Sequence, residues 1–167
     1  RNATLPGTFP GLVQKINGMP LAYLDNAATT HMPLVVLDAM REFETTSRAN
    51  IHRGVHTLSQ RATDAFEQAR EGLKRFIGAE ASHELVFNSG TTESINLVAH
   101  GLSDGGTGSA YLQPGDEIVV SGLEQHANLV PWQQAARRSG AMLRMLRPDA
   151  HGRLHPDDLA RLLTPHT

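Results

Sequence analysis

Residues 117–146 read EIVVSGLEQHANLVPWQQAARRSGAMLRML, and the order of their parts decides the fold class. EIVVS is a short, nearly all-apolar run, the signature of a strand buried on both faces. Pro131 stands where a helix tolerates proline, in its first turn. WQQAARRS continues that helix, Gly140 ends it, and AMLRML is strand-like again. Consecutive strands joined through a helix pair in parallel. The reading is therefore α/β, a mainly parallel sheet with flanking helices. The loop Gly122–Asn128 then lies beyond the carboxyl end of a strand, where such sheets bind ligands.

The same beat extends outward. PDAHG is a turn, and HPDDLARLL is a helix with Pro156 at its start. Before it come a long loop, SDGGTGSAYLQPGD, and a helical stripe of Ile95, Val98, Ala99 and Leu102. ELVF at 84–87 is expected as a strand. Leu58, Ala62, Ala65, Ala69, Leu73 and Phe76 mark one helix face to about Ile77, closed by Gly78. Leu34, Leu37, Met40 and Phe43 mark another helix to about Ser47, with Pro33 near its start. Residues 1–20, rich in proline and glycine, are expected as an extended arm leading into a short strand, LAYL.

Composition bounds the function. The 167 residues are 40% apolar and 19% charged with a net charge of −2, which argues for a globular protein and against a nucleic-acid surface. No apolar run approaches the roughly 20 residues that cross a bilayer, and RNATLPGTFPG lacks the order of a signal peptide. There is no cysteine, hence no disulfide frame and no thiol nucleophile within these residues; a reducing cytoplasm is the expected location. Arg1 stands in place of an initiator methionine, and the pattern stops on a helix with no strand after it. The chain is thus expected to be a fragment or a natural truncation.

Several short motifs carry polar chemistry. In NSGTTES, Gly90 allows close backbone approach to an oxyanion, while Thr91 and Thr92 offer hydroxyl and amide donors at a helix start. Taken alone, the same residues are those of an ordinary helix cap with Glu93 in the first turn. EQHAN places Gln125, His126 and Asn128 at the same sheet edge, where a flat side chain could lie against an aromatic ligand. In NIHRGVH, His52 and His56 are four apart, a spacing for two metal ligands on one helix face. Gly54 between them and the lack of a third ligand favour a loop leading into a helix and no metal. YLDNAATT is a turn rich in Asx and threonine hydrogen bonds. The lysines stand at 15 and 74, one in the arm and one expected on the polar side of a helix, neither in a setting that lowers an amine pKa.

The order and spacing of these blocks resemble a known family. FPGLVQKINGMPLAYLDNAATT, ANIHRGVHTLSQRAT, ELVFNSGTTESINLVA and LQPGDEIVVSGLEQHANLVPWQQAARRSGA are similar to cysteine desulfurases of the Suf type. These belong to the cysteine desulfurase and selenocysteine lyase group of pyridoxal-phosphate (PLP) enzymes, fold type I. The resemblance runs from about Phe9 to the end, apart from a Gly-rich insertion at 104–109. It implies that residues 21–167 are the N-terminal part of a PLP-binding large domain, incomplete here. It further implies that Thr91 and Thr92 hold the PLP phosphate. Gln125 falls where the family usually has a histidine stacked on the pyridine ring, and Ser89 where it often has arginine. His52 and Arg53 match a loop near the substrate; Asn26, Ala27 and Ala28 match one bordering it.

The family's Schiff-base lysine, its pyridinium-pairing aspartate, its substrate-gripping arginine and its catalytic cysteine match nothing in these residues. The implied function is conversion of L-cysteine to L-alanine with persulfide sulfur passed to an acceptor protein, in iron–sulfur cluster assembly, by a homodimer. This segment alone is expected to be inactive and to carry no catalytic residue, His52 being an active-site neighbour. The alternatives are a selenocysteine lyase acting on L-selenocysteine, another aminotransferase-like PLP enzyme, or a truncated, non-catalytic binding protein.

Overall fold

In the computed structural model, Glu117–Ser121 (β3) and Met142–Leu146 (β4) pair in parallel, Glu117 opposite Met142 through to Ser121 opposite Leu146. The intervening helix Val130–Ser139 (α5) is the crossover expected between them. The structure describes residues 5–106, 108 and 110–167. Residues 1–4 of the expected arm, and Thr107 and Ser109 of the Gly-rich insertion, lie outside the described residues. The chain forms two compact units, Arg1–Leu85 and Val86–Thr167, each considered by itself.

The second unit holds the α/β architecture. Helix Thr91–Ser103 (α4) packs against α5, and the small buried side chains Ala99, Ala135 and Ala136 let helices approach closely. Val120 and Leu146 are buried on the sheet. Ser103, also buried, donates to the Ala99 carbonyl at 2.6 Å and accepts from Arg138 Nε at 3.1 Å and Nη2 at 2.7 Å. Gly140 ends α5 with φ 76° and its amide on the Ala136 carbonyl, a left-handed cap that glycine adopts without cost. Helix Pro156–Leu162 (α6) packs on β4. Beyond it, the Thr164 hydroxyl donates to Glu117 Oε2 at 2.7 Å, while Arg144 Nη1 meets Glu117 Oε1 at 2.8 Å. That hydroxyl first, with the guanidinium, holds the Glu117 carboxyl below its usual range.

The first unit opens with a short helix, Leu5–Thr8 (α1), and a hairpin of Lys15–Ile16 (β1) with Met19–Pro20 (β2). Asn17 and Gly18 turn it with φ of 53° and 81°, the type I′ geometry that Asn-Gly favours. The hairpin lies within the stretch read as an extended arm. Helices Leu34–Thr46 (α2) and Thr57–Phe76 (α3) match their apolar periodicity to within a residue at either end.

Two expected strands are absent among the described residues. LAYL and ELVF carry strand-like side chains, yet neither is part of a β-ladder there, and a strand exists only through its ladder. The Leu21 amide does return to the Gln14 carbonyl at 3.0 Å, prolonging the hairpin by one bond. Leu85, within ELVF, accepts from Arg70 Nη1 at 2.5 Å instead of from a strand. Lys74 also differs from expectation: its side chain is 12% exposed and lies 3.7 Å from Glu71.

Candidate functional site

The start of α4 is built by Asn88 and Gly90. Asn88 Oδ1 accepts from the Gly90 amide at 3.3 Å and the Ser94 hydroxyl at 2.9 Å, an Asx-type turn that fixes the loop. Gly90 caps the helix with φ 145° and ψ 179°, a backbone region reserved for glycine. No heavy atom lies within 4 Å of where a Cβ would stand, so conformation, not space, requires glycine here.

A helix start leaves its first amides without intrahelical partners. The first backbone bond at this end runs from Ser94 to the Gly90 carbonyl, at 3.0 Å. The amides of Thr91, Thr92 and Glu93 therefore meet no acceptor among the described residues, and neither threonine hydroxyl is engaged there. Both threonines are exposed. Five donors thus lie at one helix terminus, where the macrodipole also favours an anion.

Glu93, the acid of this first turn, is folded away from that role. Its Oε2 accepts from the Ser89 hydroxyl and, at 2.7 Å, from the Ser89 amide. These bonds, the hydroxyl's foremost, hold its carboxyl below the usual range. Sequence reasoning places Glu93 in the first turn but misses this return to Ser89; an acid at the third helical position is the signal that marks it.

Gln125 precedes a 3-10 turn, His126–Asn128, that packs on α4. Its carbonyl accepts from the Asn128 amide at 2.9 Å, while its exposed side-chain amide has no partner among the described residues. Asn128 is structural: its Nδ2 donates to Glu124 at 2.8 Å and its Oδ1 accepts from Trp132 Nε1 at 2.9 Å. Thr91, Thr92 and Gln125 thus stand on neighbouring elements of one unit.

The remaining expected residues belong to the first unit. Ala27 and Ala28 are exposed in a turn closed by Ala28 and Thr29 amides on the Asp25 carbonyl, at 3.2 and 3.1 Å. Asn26, with Phe9, Leu12, Thr30 and His31, lines a cavity of about 200 Å3. His52 and His56 do not share a helix face. His52 sits in a loop with φ 63°, and His56 caps α3, its Nδ1 accepting from Ser59 at 3.3 Å. No cluster of metal-ligating side chains occurs among the described residues. No helix there is long and apolar enough to cross a membrane.

Residues 22–167 match the family model for class-V aminotransferases. A probable cysteine desulfurase of Mycolicibacterium paratuberculosis is 47% identical over 165 residues, which cover 99% of this chain and 23% of that protein. A cysteine desulfurase from Thermococcus onnurineus NA1, solved in its apo form, is 42% identical with a TM-score of 0.74. That match covers 83% of this chain and 33% of the other. A mutant of C-DES, with glycine covalently linked to its PLP cofactor, shares the fold at 22% identity and a TM-score of 0.75, over 99% of this chain and 39% of its own. The chain therefore spans between about a quarter and two fifths of the proteins it matches.

Proposed function

Because the chain belongs to the class-V aminotransferase family, we propose that it is the phosphate-anchoring part of a PLP-dependent cysteine desulfurase. One observation carries this reading: three amides and two hydroxyls at the start of α4 have no acceptor among the described residues. A phosphate monoester, with its anionic acceptor oxygens, fits that donor set. Residues 21–167 would then form part of the PLP-binding large domain.

PLP, when bound, supplies an electron sink for bonds to the α-carbon of an amino acid. The residues here bind and orient. Thr91 and Thr92 hold the phosphate through amide and hydroxyl donors. Gln125 covers the pyridine ring; unlike a histidine it moves no proton near neutral pH. Ala27 and Ala28 form part of the substrate wall, and His52 neighbours it. In the complete reaction the C–S bond of L-cysteine breaks, its sulfur passes to a protein thiolate as a persulfide, and L-alanine leaves. With no cysteine among the 167 residues, that thiolate lies outside them. An acceptor protein for the sulfur, a role in iron–sulfur assembly, a homodimer and a cytoplasmic location extend the proposal; the similarity to cysteine desulfurases supports them.

The test is alanine and persulfide formation from L-cysteine by the complete PLP-loaded protein. Both are expected, and the 167 residues by themselves should form neither. A complete protein that binds PLP yet releases no alanine would overturn the desulfurase reading.

A further inference from the structure

Gln125 is bracketed by Asn128. The Asn128 amide donates to the Gln125 carbonyl at 2.9 Å. Its side chain reaches the residue before, Nδ2 donating to Glu124 Oε2 at 2.8 Å. Its Oδ1 accepts from Trp132 Nε1 at 2.9 Å. A carboxylate only accepts and an indole N–H only donates, so a single orientation of the Asn128 amide serves both. Trp132 is half-buried in the first turn of α5, and the same helix buries Pro131, Ala135 and Ala136. The clamp therefore runs from a packed helix through Trp132 and Asn128 to the two residues that precede the 3-10 turn.

The turn His126–Asn128 packs on both α4 and α5, and the Leu129 amide closes its far end on the His126 carbonyl at 3.2 Å. The Gln125 backbone is thus held, while its exposed side chain has no partner among the described residues. A side chain on a fixed backbone loses less freedom on meeting a ligand than one on a loose loop. We infer that Asn128 is a positioning residue: tied to Trp132, it clamps Glu124 and the Gln125 backbone, so that Gln125 is in place, on a turn packed against the phosphate-anchoring helix, before PLP arrives. The PLP half of this statement rests on the proposed function; the clamp half does not.

The test is a double-mutant cycle on the PLP affinity of the complete protein, followed by spectroscopic titration. Asn128→Ala removes the clamp, and affinity should fall about tenfold, the scale of one or two hydrogen bonds. In a Gln125→Ala background the same change should cost less than about twofold, because no ring cover remains to be placed. Trp132→Phe keeps an aromatic ring and removes the Nε1 donor; it should show the same pattern at about threefold, and it carries the cycle if Asn128→Ala does not fold. Equal losses with and without Gln125 overturn the positioning role, as does a lower urea midpoint with PLP affinity unmoved. Hydrogen exchange of the Asn128 and Leu129 amides in the PLP-free protein reads the clamp by itself: Trp132→Phe should speed it about tenfold. Unchanged exchange overturns the clamp. If the wild type binds no PLP, the phosphate-anchoring reading fails instead, and the exchange measurement still decides what Asn128 and Trp132 do.

Discussion

The N-termini of α3 and α4 are made of similar residues and do opposite things. At α3, His56 Nδ1 takes the Ser59 amide, and the buried Ser59 hydroxyl accepts from Gly54 at 3.1 Å and donates to Asn50 at 2.5 Å. Gly54 sits so close that a Cβ there would collide with the Ser59 side chain. The loop spends its polar groups on itself. At α4 the cap is a bare Gly90, and the donors of Thr91, Thr92 and Glu93 find no acceptor among the described residues. Polar groups satisfied from within serve the fold, and a set left open at a helix start suits a ligand.

The largest expected effect is at the open N-terminus of α4. Replacing Thr91 and Thr92 together by valine keeps the side-chain shape and removes two hydroxyl donors, each worth about 1.5–3 kcal/mol to a charged acceptor. PLP affinity of the complete protein should fall at least about a hundredfold by spectroscopic titration, with little change in the urea midpoint. A loss of stability without loss of PLP affinity would make the two helix starts alike.

At the self-satisfied N-terminus of α3 the expectation is reversed. Ser59→Ala strands the Gly54 amide and the Asn50 carbonyl, at a cost of about 1–3 kcal/mol in unfolding free energy, and should speed hydrogen exchange at Gly54. His56→Ala removes only the cap, about 1 kcal/mol. Neither change should alter PLP binding through Thr91 and Thr92.

The smallest effect concerns Glu93. Its folded-state carboxyl is held below the usual value, so its contribution is present above the unfolded pKa of about 4.3 and fades as pH falls through the folded value. A urea series from neutral to acidic pH should show wild type and Glu93→Gln converging at the acid end. Curves that stay parallel would mean the Ser89 bonds add nothing.

Helices α2 to α6 and the β3–β4 pair are legible in the sequence because their apolar residues repeat with the period of the element and end on proline or glycine. Local spacing also marks the helix start that carries Thr91 and Thr92 and the turn that Gln125 precedes. LAYL and ELVF mislead because side chains report strand tendency, whereas pairing depends on a partner far along the chain. The Asn17-Gly18 turn carries a strong hairpin signal that a proline- and glycine-rich neighbourhood masks. The loop before α3 is illegible for another reason. Its bonds join side chains to backbone five to eleven residues away, as from Thr63 to His52, and no periodicity encodes them.

The lysines at 15 and 74 differ sharply in accessibility. Lys15 is exposed on the hairpin, and Lys74 is covered near the end of α3. An amine-reactive ester should therefore acylate the Lys15 side chain quickly, and that of Lys74 only when the helix end opens. The slower reaction makes Lys74 a built-in clock for fraying of α3, readable by mass spectrometry without any substitution.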